Sequence, residues 1–340
     1  MSSAAPASLI STSLPLPLLA KGKVRDLYDA GPVLSSEVDA GRLGEEYRDA
    51  ILFVATDRIS AFDVILENGI PSKGPLLHAL STFWFDLLTP SILPSHVLSN
   101  SFHSFPAALQ SALSSVSSQV ANRSMLVRRA RVLPIEAIVR GYITGSAWKE
   151  YKKSGTVHGI KVQEGLVESQ EFPQAIFTPS TKAEQGSHDE NIHPDKVADL
   201  IGAHLAKEVE SAALSLFKQA SAHAKSRGII LADTKFEFGL ISSTSPSTGQ
   251  ATQQLILVDE VLTPDSSRFW SAKEYQVGKP QQSFDKQFVR DWLIEEGLDG
   301  KEKGKDGQSV RLPDRVALDT RDKYQEAYER ITGRTWQGLH

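Results

Sequence analysis

The segment LADTKFEFGL (Leu231–Leu240) alternates charged side chains with largely apolar ones. Successive side chains of a β-strand point to opposite faces, so an extended segment places Asp233, Lys235 and Glu237 on one face and Phe236 on the other. A rise of about 3.3 Å per residue separates the two carboxylates by about 13 Å, whereas Mg²⁺ holds its oxygen ligands at about 2.1 Å. One ion therefore cannot bind both acids, and each acid needs a partner from elsewhere in the chain.

The next apolar segment supplies a candidate partner for the second acid. LILVDE (255–260) predicts a strand that returns antiparallel to the first, across a low-complexity loop. An antiparallel register can set Asp259 beside Glu237, where two carboxylates repel each other unless a cation lies between them. Glu237 and Asp259 are therefore a candidate metal pair, and Lys235 is a candidate for binding an anion. The alternative is a solvated strand face with cross-strand ion pairs, which the apolar flanks of both segments disfavour.

Composition and charge exclude several classes of protein. The 340 residues predict about two domains, and the net charge of −4 gives no nucleic-acid footprint. No run of 18 apolar residues is present, which predicts no membrane partner. The chain has no cysteine, which excludes disulfides, thiolate zinc sites and thiol nucleophiles and is compatible with a cytoplasmic location. Neither a Walker A sequence nor GxGxxG occurs, which argues against P-loop and Rossmann nucleotide sites.

The remaining patterns predict mixed strands and helices. A helix is expected over 76–88 and another over about 195–227, and the dipeptide Asn68-Gly69 predicts a hairpin turn. The Ser-rich segment 91–122 is expected to be a surface excursion, and neither its order nor that of 241–252 follows from the sequence.

Three domain segments are predicted. Residues 1–20 are expected to form an N-terminal tail, loose over about the first 12 residues, and residues 21–125 a first lobe. Residues 126–340 are expected to form a second lobe with a C-terminal helical extension.

Basic residues beside glycines suggest anion sites. In KGKVRDLY (Lys21–Tyr28), three basic residues surround Gly22 at the start of a predicted strand, where backbone N–H groups and cations can cover a polyphosphate. Arg140 and Ser146 flank a second glycine-containing turn, and Arg268 follows the strand that ends at Asp259. Each cluster alone also suits a solvated surface, but together they describe an oxyanion-rich site beside a metal pair.

The motifs also resemble a known family. VLPIEAIVRGYITGS (Val132–Ser146) and LADTKFEFG (Leu231–Gly239) are similar to two signature segments of the SAICAR synthetase family. Five shorter segments resemble the family in the same order: GKVRDLY, TDRISAFD, IPSKG, VDEVLTPDSSRFW and SFDKQFVRDWL. The resemblance runs from about Lys21 to the C-terminus, and the Ser-rich insertions are similar to those of the larger, fungal-type members.

The resemblance implies an α+β, two-lobed, ATP-grasp-like fold with mainly antiparallel sheets and the active site in the cleft between the lobes. It also implies a carbon–nitrogen ligase of purine biosynthesis. ATP phosphorylates the carboxylate of the imidazole ribonucleotide CAIR, and the amine of L-aspartate then displaces phosphate to give SAICAR. ATP and Mg²⁺ are the implied cofactors, CAIR and L-aspartate are the small-molecule partners, and a monomer is compatible with the sequence.

The resemblance also assigns site residues. It implies that Glu237 and Asp259 bind the metal, and that Lys235 and Asp189 act at the substrate and are the candidates for catalysis. The residues implied to bind CAIR or aspartate are Arg140, Ser146, Asp189, Lys235 and Arg268. The residues implied to bind ATP are Lys21, Gly22, Lys23, Val24, Arg25, Val127, Arg128 and Ala130, the last three through the backbone around Leu126–Ala130.

Two other functions fit parts of this pattern. A small-molecule kinase would stop at the phosphorylated product, and the surplus of basic residues beyond those needed for ATP disfavours it. A non-catalytic nucleotide-binding scaffold would not need the metal carboxylates, yet Glu237 and Asp259 are both present.

Overall fold

The computed structural model describes residues 8–62, 64–89, 91–182, 190–244, 251–304 and 307–338. Its strands are β1 (Leu18–Lys21), β2 (Arg25–Asp29), β3 (Ile51–Ala55), β4 (Ser60–Ala61), β5 (Val64–Ile65), β6 (Val97–Ser99), β7 (Ser124–Val127), β8 (Arg131–Val132), β9 (Ile135–Tyr142), β10 (Thr156–Val157), β11 (Ile160–Lys161), β12 (Glu171–Phe177), β13 (Ser180–Thr181), β14 (Ile229–Thr244), β15 (Ala251–Val258) and β16 (Ser267–Ser271). Its α-helices are α1 (Gly31–Asp39), α2 (Lys73–Leu88), α3 (Ala107–Leu113), α4 (Ser117–Val120), α5 (Gly145–Ser154), α6 (Val197–Ile201), α7 (Ala203–Ser226), α8 (Gln287–Glu295) and α9 (Asp314–Thr332). Short 3₁₀ helices occupy Glu45–Tyr47, Phe102–Ser104, Ser114–Val116 and Pro194–Lys196.

The chain forms two compact units. Unit 1 comprises Met1–Thr82, His96–Arg129 and Asp285–His340, and unit 2 comprises Phe83–Ser95 and Ala130–Phe284. These units do not follow the predicted boundaries, because the C-terminal region belongs with the N-terminal segment rather than with the second lobe. The second segment of unit 1 ends at Arg129, whereas the sequence predicts a boundary after residue 125.

Unit 1 is built on an antiparallel sheet in the order β1-β2-β3-β7-β6. Leu52 on β3 and Leu126 on β7 are fully buried in its core. Leu109 and Leu113 of α3 pack into the same core, so the prediction that 91–122 is a surface excursion is wrong. These two leucines lie four residues apart and therefore on one face of a helix, which lets a Ser-rich segment bury an apolar stripe.

The N-terminal segment is also more ordered than predicted. The backbone N–H of Leu9 donates to Asp57 Oδ2 at 2.6 Å, and Thr12 Oγ1 donates to Asp26 Oδ2 at 2.6 Å. β1 then pairs with β2. The loose tail predicted over about the first 12 residues is therefore wrong from Leu9 onward.

A second core in unit 1 explains the placement of the C-terminal region. Val289 and Leu293 of α8 are buried against Ile59 and Ile70 from the N-terminal segment. The side chain of Asn68 donates to the carbonyl of Leu312 at 3.1 Å and accepts from its N–H at 2.8 Å. Asn68 therefore does not form the hairpin turn predicted there; the neighbouring hairpin is β4–β5, which turns at Phe62, φ 51°.

Unit 2 is organised by β14, which confirms the strand predicted over Leu231–Leu240. In the described part of the chain its sheet has the order β12-β9-β14-β15, with β13 on β9 and with β8 and β16 on β14. β15 is antiparallel to β14 from Glu237↔Val258 onward, as the hairpin prediction required, and β9 pairs with β14 from Asp233↔Arg140.

The helix predicted over about 195–227 is present but interrupted. Gly202, at φ 87°, separates α6 from α7. The buried face of α7 carries Val209, Leu216 and Phe217 at helical spacing, as the apolar periodicity predicts. Within the described ranges, no helix has the length and hydropathy needed to cross a bilayer.

Candidate active site

The charged face of β14 is buried. Asp233 is 4% and Glu237 is 6% exposed, and Phe236 and Phe238 on the opposite face are fully enclosed. A carboxylate removed from water needs a cation or several hydrogen-bond donors to remain ionised. The two acids are therefore not solvated, although the cross-strand ion pairs of the alternative are present between β9 and β14.

Lys235 lies between carboxylates. Its Nζ donates to Glu136 Oε1 at 2.8 Å and to Glu237 Oε1 at 2.5 Å. Burial opposes the charged form, but the charges of Glu237, Glu136 and Asp259 outweigh it and raise the pKa of Lys235 above its ordinary value. Lys235 is therefore an ammonium group at neutral pH, suited to neutralising negative charge rather than to accepting a proton.

Glu237 is held by two lysines. While one carboxylate oxygen accepts from Lys235, the other accepts from Lys182. The side chain of Lys182 is 39% exposed, whereas that of Lys235 is 29% exposed. Lys182 is thus the more exposed of the two partners of Glu237.

Asp233 is shared by two arginines. Its Oδ2 accepts from Arg140 Nη1 at 3.0 Å and from Arg268 Nη1 at 2.5 Å. The sequence left Asp233 as either a partner of Lys235 or an outer group of the metal site. The structure gives it a third role, because it holds two guanidinium groups in one place.

Local backbone geometry positions these two arginines. Arg140 Nε donates to Thr178 Oγ1 at 3.0 Å, and its Nη2 lies 3.5 Å from Ser146 Oγ at the start of α5. Gly145, at φ 56°, leaves room for Arg268, since an added Cβ there would lie 2.7 Å from Arg268 Nη2. The glycine–serine turn predicted from the sequence therefore admits one arginine and contacts the other.

Asp259 does not lie directly opposite Glu237, so the predicted register is off by one residue. Glu237 pairs with Val258, and Asp259 follows β15 with φ 66°. Aspartate is one of the few residue types that tolerate this left-handed conformation. The turn nevertheless keeps its charge close to the cluster, because Asp259 contributes to the raised pKa of Lys235.

The acidic cluster has the donor chemistry for a hard cation. In the described ranges, no group of three or more His, Asp or Glu residues is placed to hold a metal by itself. Mg²⁺ bound with a nucleotide usually takes only one or two carboxylates, together with phosphate oxygens and water. Glu237 and Asp259 are carboxylates of this kind, and Glu237 already binds two ammonium groups in its buried setting.

The cationic glycine turn lies in unit 1, between β1 and β2. The N–H of Gly22 donates to the carbonyl of Arg25 at 2.7 Å, which closes a tight turn. An added Cβ at Gly22 would lie 3.0 Å from that same carbonyl oxygen. Lys21 and Lys23 are exposed on the turn, and Lys21 Nζ donates to Ser11 Oγ at 3.0 Å.

A buried arginine fastens this turn from within unit 1. Arg58 donates to the carbonyl of Gly22 and to that of Ile10, each at 2.8 Å, and to Asp26 Oδ1 at 2.6 Å. The neighbouring Asp57 accepts from the N–H of Gly74 at 2.8 Å. Asp57 and Arg58, which follow β3, therefore have a structural role, because they position the backbone of neighbouring segments.

Comparison with known proteins identifies related sequences. The model of the SAICAR synthetase family matches residues 18–306. The phosphoribosylaminoimidazole-succinocarboxamide synthase of Pichia angusta is 53% identical over 323 residues, which cover 94% of this chain and 96% of that protein.

The chain belongs to the SAICAR synthetase family.

Solved structures of the family share the fold. SAICAR synthase from Saccharomyces cerevisiae complexed with SAICAR has a TM-score of 0.79 and 46% identity, over 97% of this chain and 100% of that one. A SAICAR synthetase in complex with ADP has a TM-score of 0.60 and 23% identity, over 94% and 99% of the two chains, and supports the fold alone. The mixed helical and antiparallel fold predicted from the sequence is confirmed.

Membership of the SAICAR synthetase family gives the activity. The chain is a carbon–nitrogen ligase of purine biosynthesis that joins CAIR and aspartate to form SAICAR. The predicted function and enzyme class are therefore confirmed, and the individual residue roles stay predictions.

The structure gathers part of the predicted site within unit 2. Arg140 and Arg268 meet at Asp233, and Ser146 contacts Arg140. Lys235, Glu237 and Asp259 form the second cluster. The predicted ATP residues divide between the units: Lys21–Arg25, Val127 and Arg128 lie in unit 1, with the N–H of Arg128 donating to the carbonyl of His96 at 2.8 Å, and Ala130 begins unit 2. Asp189 lies outside the described residues.

Three residues of this family site were missed from the sequence: Glu136, Thr178 and Lys182. Glu136 and Arg140 lie four residues apart on β9, hence on one strand face, as do Asp233 and Glu237 on β14. The same four-residue spacing of charged residues on both strands could have identified Glu136 from the sequence. Thr178 and Lys182 reach the site through long-range pairing of the segment after β12, and no local sequence pattern reveals that pairing.

Proposed function

We propose that this chain makes SAICAR by ATP-dependent activation of CAIR through an acyl phosphate. The observation that supports the proposal is the different make-up of the two charged clusters on β14. Two guanidinium groups meet one carboxylate at Asp233, whereas carboxylates outnumber ammonium groups around Lys235. The first cluster suits an anionic substrate group, and the second suits a cation.

In this mechanism, Arg140, Arg268 and Ser146 bind the anionic groups of CAIR. Asp233 holds these two like-charged guanidinium groups in one place, and guanidinium groups are suited to paired hydrogen bonds with phosphate or carboxylate oxygens. Lys235 neutralises the carboxylate that becomes phosphorylated. Asp189 is proposed to contact substrate, as the family resemblance implies.

The nucleotide is proposed to use the glycine turn and the acidic cluster. Lys21, Lys23 and Arg25 neutralise the triphosphate, the turn that contains Gly22 and Val24 lies against it, and the backbone from Val127 to Ala130 binds adenine. Glu237 and Asp259 are proposed to hold Mg²⁺, which would neutralise phosphate charge and align the triphosphate. The raised pKa of Lys235 argues against its use as a general base.

The proposed chemistry proceeds in two steps. The CAIR carboxylate oxygen attacks the γ-phosphorus of ATP, and ADP leaves. The aspartate amine then attacks the acyl carbon, the carbon–oxygen bond to phosphate breaks, and the amine loses a proton as the amide forms. Activation is required because a carboxylate is a poor acyl donor whereas phosphate is a good leaving group. The cleft location, a cytoplasmic setting and a monomeric state stay predictions from the sequence.

One assay tests the proposal against its alternatives. Purified full-length chain with CAIR, ATP and Mg²⁺ is expected to release phosphate in proportion to added L-aspartate. Transfer of ¹⁸O from the CAIR carboxylate to the released phosphate is expected if an acyl phosphate forms. A stable phosphorylated product without aspartate would indicate a kinase, and absence of turnover would indicate a nucleotide-binding scaffold.

A further inference from the structure

The segment that follows β12 contacts the site at every second residue from Thr178 to Lys182. Thr178 Oγ1 accepts from Arg140 Nε at 3.0 Å, Ser180 Oγ donates to Glu136 Oε2 at 3.2 Å, and Lys182 binds Glu237. The position of this segment therefore sets the hydrogen-bond geometry of both clusters. What holds the segment in place is then a question about the site itself.

Its carbonyl at Pro179 is held from two sides. The N–H of Ile192 donates to it at 3.0 Å, and His158 Nδ1 lies 3.0 Å away. A carbonyl oxygen can only accept, so His158 must carry a proton on Nδ1. Burial and the charge of Arg140 lower the pKa of His158, against the opposing effects of Pro179, Glu150 and Ile192. The ring is therefore neutral, with a single donor directed at the carbonyl.

The other ring nitrogen, Nε2, makes no comparable hydrogen bond. His158 is 4% exposed, and among the described residues its Nε2 has no partner with hydrogen-bond distance and angle, although the backbone of Ile192 acts on the ring. A buried acceptor without a donor is unfavourable. The Nδ1 donor and the backbone conformation therefore explain a histidine at this position, whereas Nε2 does not.

The backbone at His158 is unusual and is fixed by Glu150. His158 has φ 49°, a left-handed conformation in which Asn, Asp and His are enriched among non-glycine residues. Glu150 on α5 accepts from the N–H of His158 at 2.9 Å, from the N–H of Gly159 at 3.0 Å and from Thr156 Oγ1 at 2.9 Å. One carboxylate thereby fixes the turn and points the imidazole at Pro179.

We propose that His158, held by Glu150, is a positioning residue for substrate binding. By bonding the carbonyl of Pro179 it fixes the adjacent Thr178, whose hydroxyl orients the guanidinium of Arg140 toward the substrate anion. This inference depends on the proposed role of Arg140 in binding CAIR. His158 itself need not touch the substrate.

Three substitutions of His158 separate its donor from its backbone. His158→Asn keeps a donor near the Nδ1 position and tolerates the left-handed φ, His158→Gly keeps only the backbone freedom, and His158→Gln places its amide near the Nε2 position. We expect His158→Gly to raise KM for CAIR about tenfold, with KM for ATP changed less than about twofold. His158→Asn is expected to stay within about twofold of wild type for both, and His158→Gln to resemble the glycine variant.

A double-mutant cycle tests whether the effect passes through Thr178. Thr178→Val removes the oxygen that accepts from Arg140 Nε but keeps the branched shape. If His158 acts through this hydroxyl, His158→Gly adds less than about twofold to the KM for CAIR in the Thr178→Val background. Full multiplication of the two effects would overturn the proposed route.

A purely structural role gives a different result. It would lower the melting temperature and the active fraction of His158→Gly while leaving KM for CAIR unchanged, and that outcome overturns the proposal. Equal loss in the Asn and Gly variants would also overturn it, because the Nδ1 donor would then not matter. Lack of SAICAR formation by the wild-type chain would instead count against the proposed function, so the two failures are distinguishable.

Discussion

The two ends of the charged face of β14 carry opposite arrangements. At Asp233 one carboxylate is shared by two arginines, and the charge of Glu150 also acts on Arg140. At Glu237 and its neighbours, carboxylates outnumber the lysines that bind them. Under the proposed function, the Asp233 end binds the anionic groups of CAIR and the Glu237 end binds Mg²⁺, about 13 Å apart at the usual rise per residue.

The contrast explains why the strand alternates in sign. Buried excess charge is unfavourable unless a ligand of opposite sign completes it. Substrate and metal–nucleotide would each complete one end, while Lys235 lies between them as a fixed cation. Under this proposal each ligand belongs to one end of the face, and substitutions of Glu237 and Arg268 each remove charge from one end only.

The largest effect is expected from Glu237→Gln. Loss of the carboxylate removes the proposed metal ligand and leaves two lysines with one acceptor fewer. We expect kcat to fall by about 10²–10³-fold, with a weaker dependence on Mg²⁺. Steady-state rates over a Mg²⁺ titration measure both.

Glu136→Gln is the matched control for that change. It also removes a carboxylate bonded to Lys235, but not a proposed metal ligand. We expect a loss of at most about tenfold, and circular dichroism should show both variants folded. Equal losses in the two variants, with unchanged Mg²⁺ dependence, would contradict the metal assignment.

The next effect concerns the opposite end. Arg268→Gln removes one guanidinium from Asp233 while Arg140 remains to neutralise it. KM for CAIR is expected to rise about tenfold or more, and KM for ATP to stay within about twofold. Initial rates with each substrate varied in turn give both constants.

Glu237→Gln serves as the comparison, since its defect should fall mainly on kcat. A rise in KM for ATP in the Arg268 variant, without a rise for CAIR, would show that this end of β14 binds nucleotide instead.

Local patterns predicted the strand but not all of its neighbours. The alternation of Asp233, Lys235 and Glu237 was enough to predict β14 and its hairpin with β15. The register was predicted one residue out, because the left-handed turn at Asp259 depends on backbone geometry that residue types do not specify. Glu136 was missed because its contact with Lys235 needs the pairing of β9 with β14.

The errors in the fold have the same origin. The apolar residues of α3 were too sparse to recognise within a Ser-rich segment, yet Leu109 and Leu113 are fully buried. Assigning residues 126–340 to one lobe assumed that a domain is continuous in sequence. Packing of Val289 and Leu293 against Ile59 overrides that assumption, because buried apolar area does not depend on chain order.

A smaller effect tests the glycine turn in unit 1. Gly22→Ala places a Cβ about 3.0 Å from the carbonyl oxygen of Arg25, so the turn must shift by a few tenths of an ångström. We expect KM for ATP to rise about threefold with KM for CAIR unchanged. Val24→Ala in the same turn, which adds no backbone contact, is the control. A selective change in KM for CAIR would place the turn with the anion site of β14.

The last prediction is an absence of change with pH. The pKa of Lys235 is raised in the folded chain above its unfolded value of about 10.4. Its contribution to stability is therefore fully present below about pH 10 and is lost only as pH rises through the higher folded value. The difference in unfolding free energy between wild type and Lys235→Gln should be constant from about pH 6.5 to 9.5, as measured by urea titration. A difference that declines above pH 7 would mean that Lys235 loses its proton near neutrality, and the middle of the β14 face would then offer a base rather than a fixed cation.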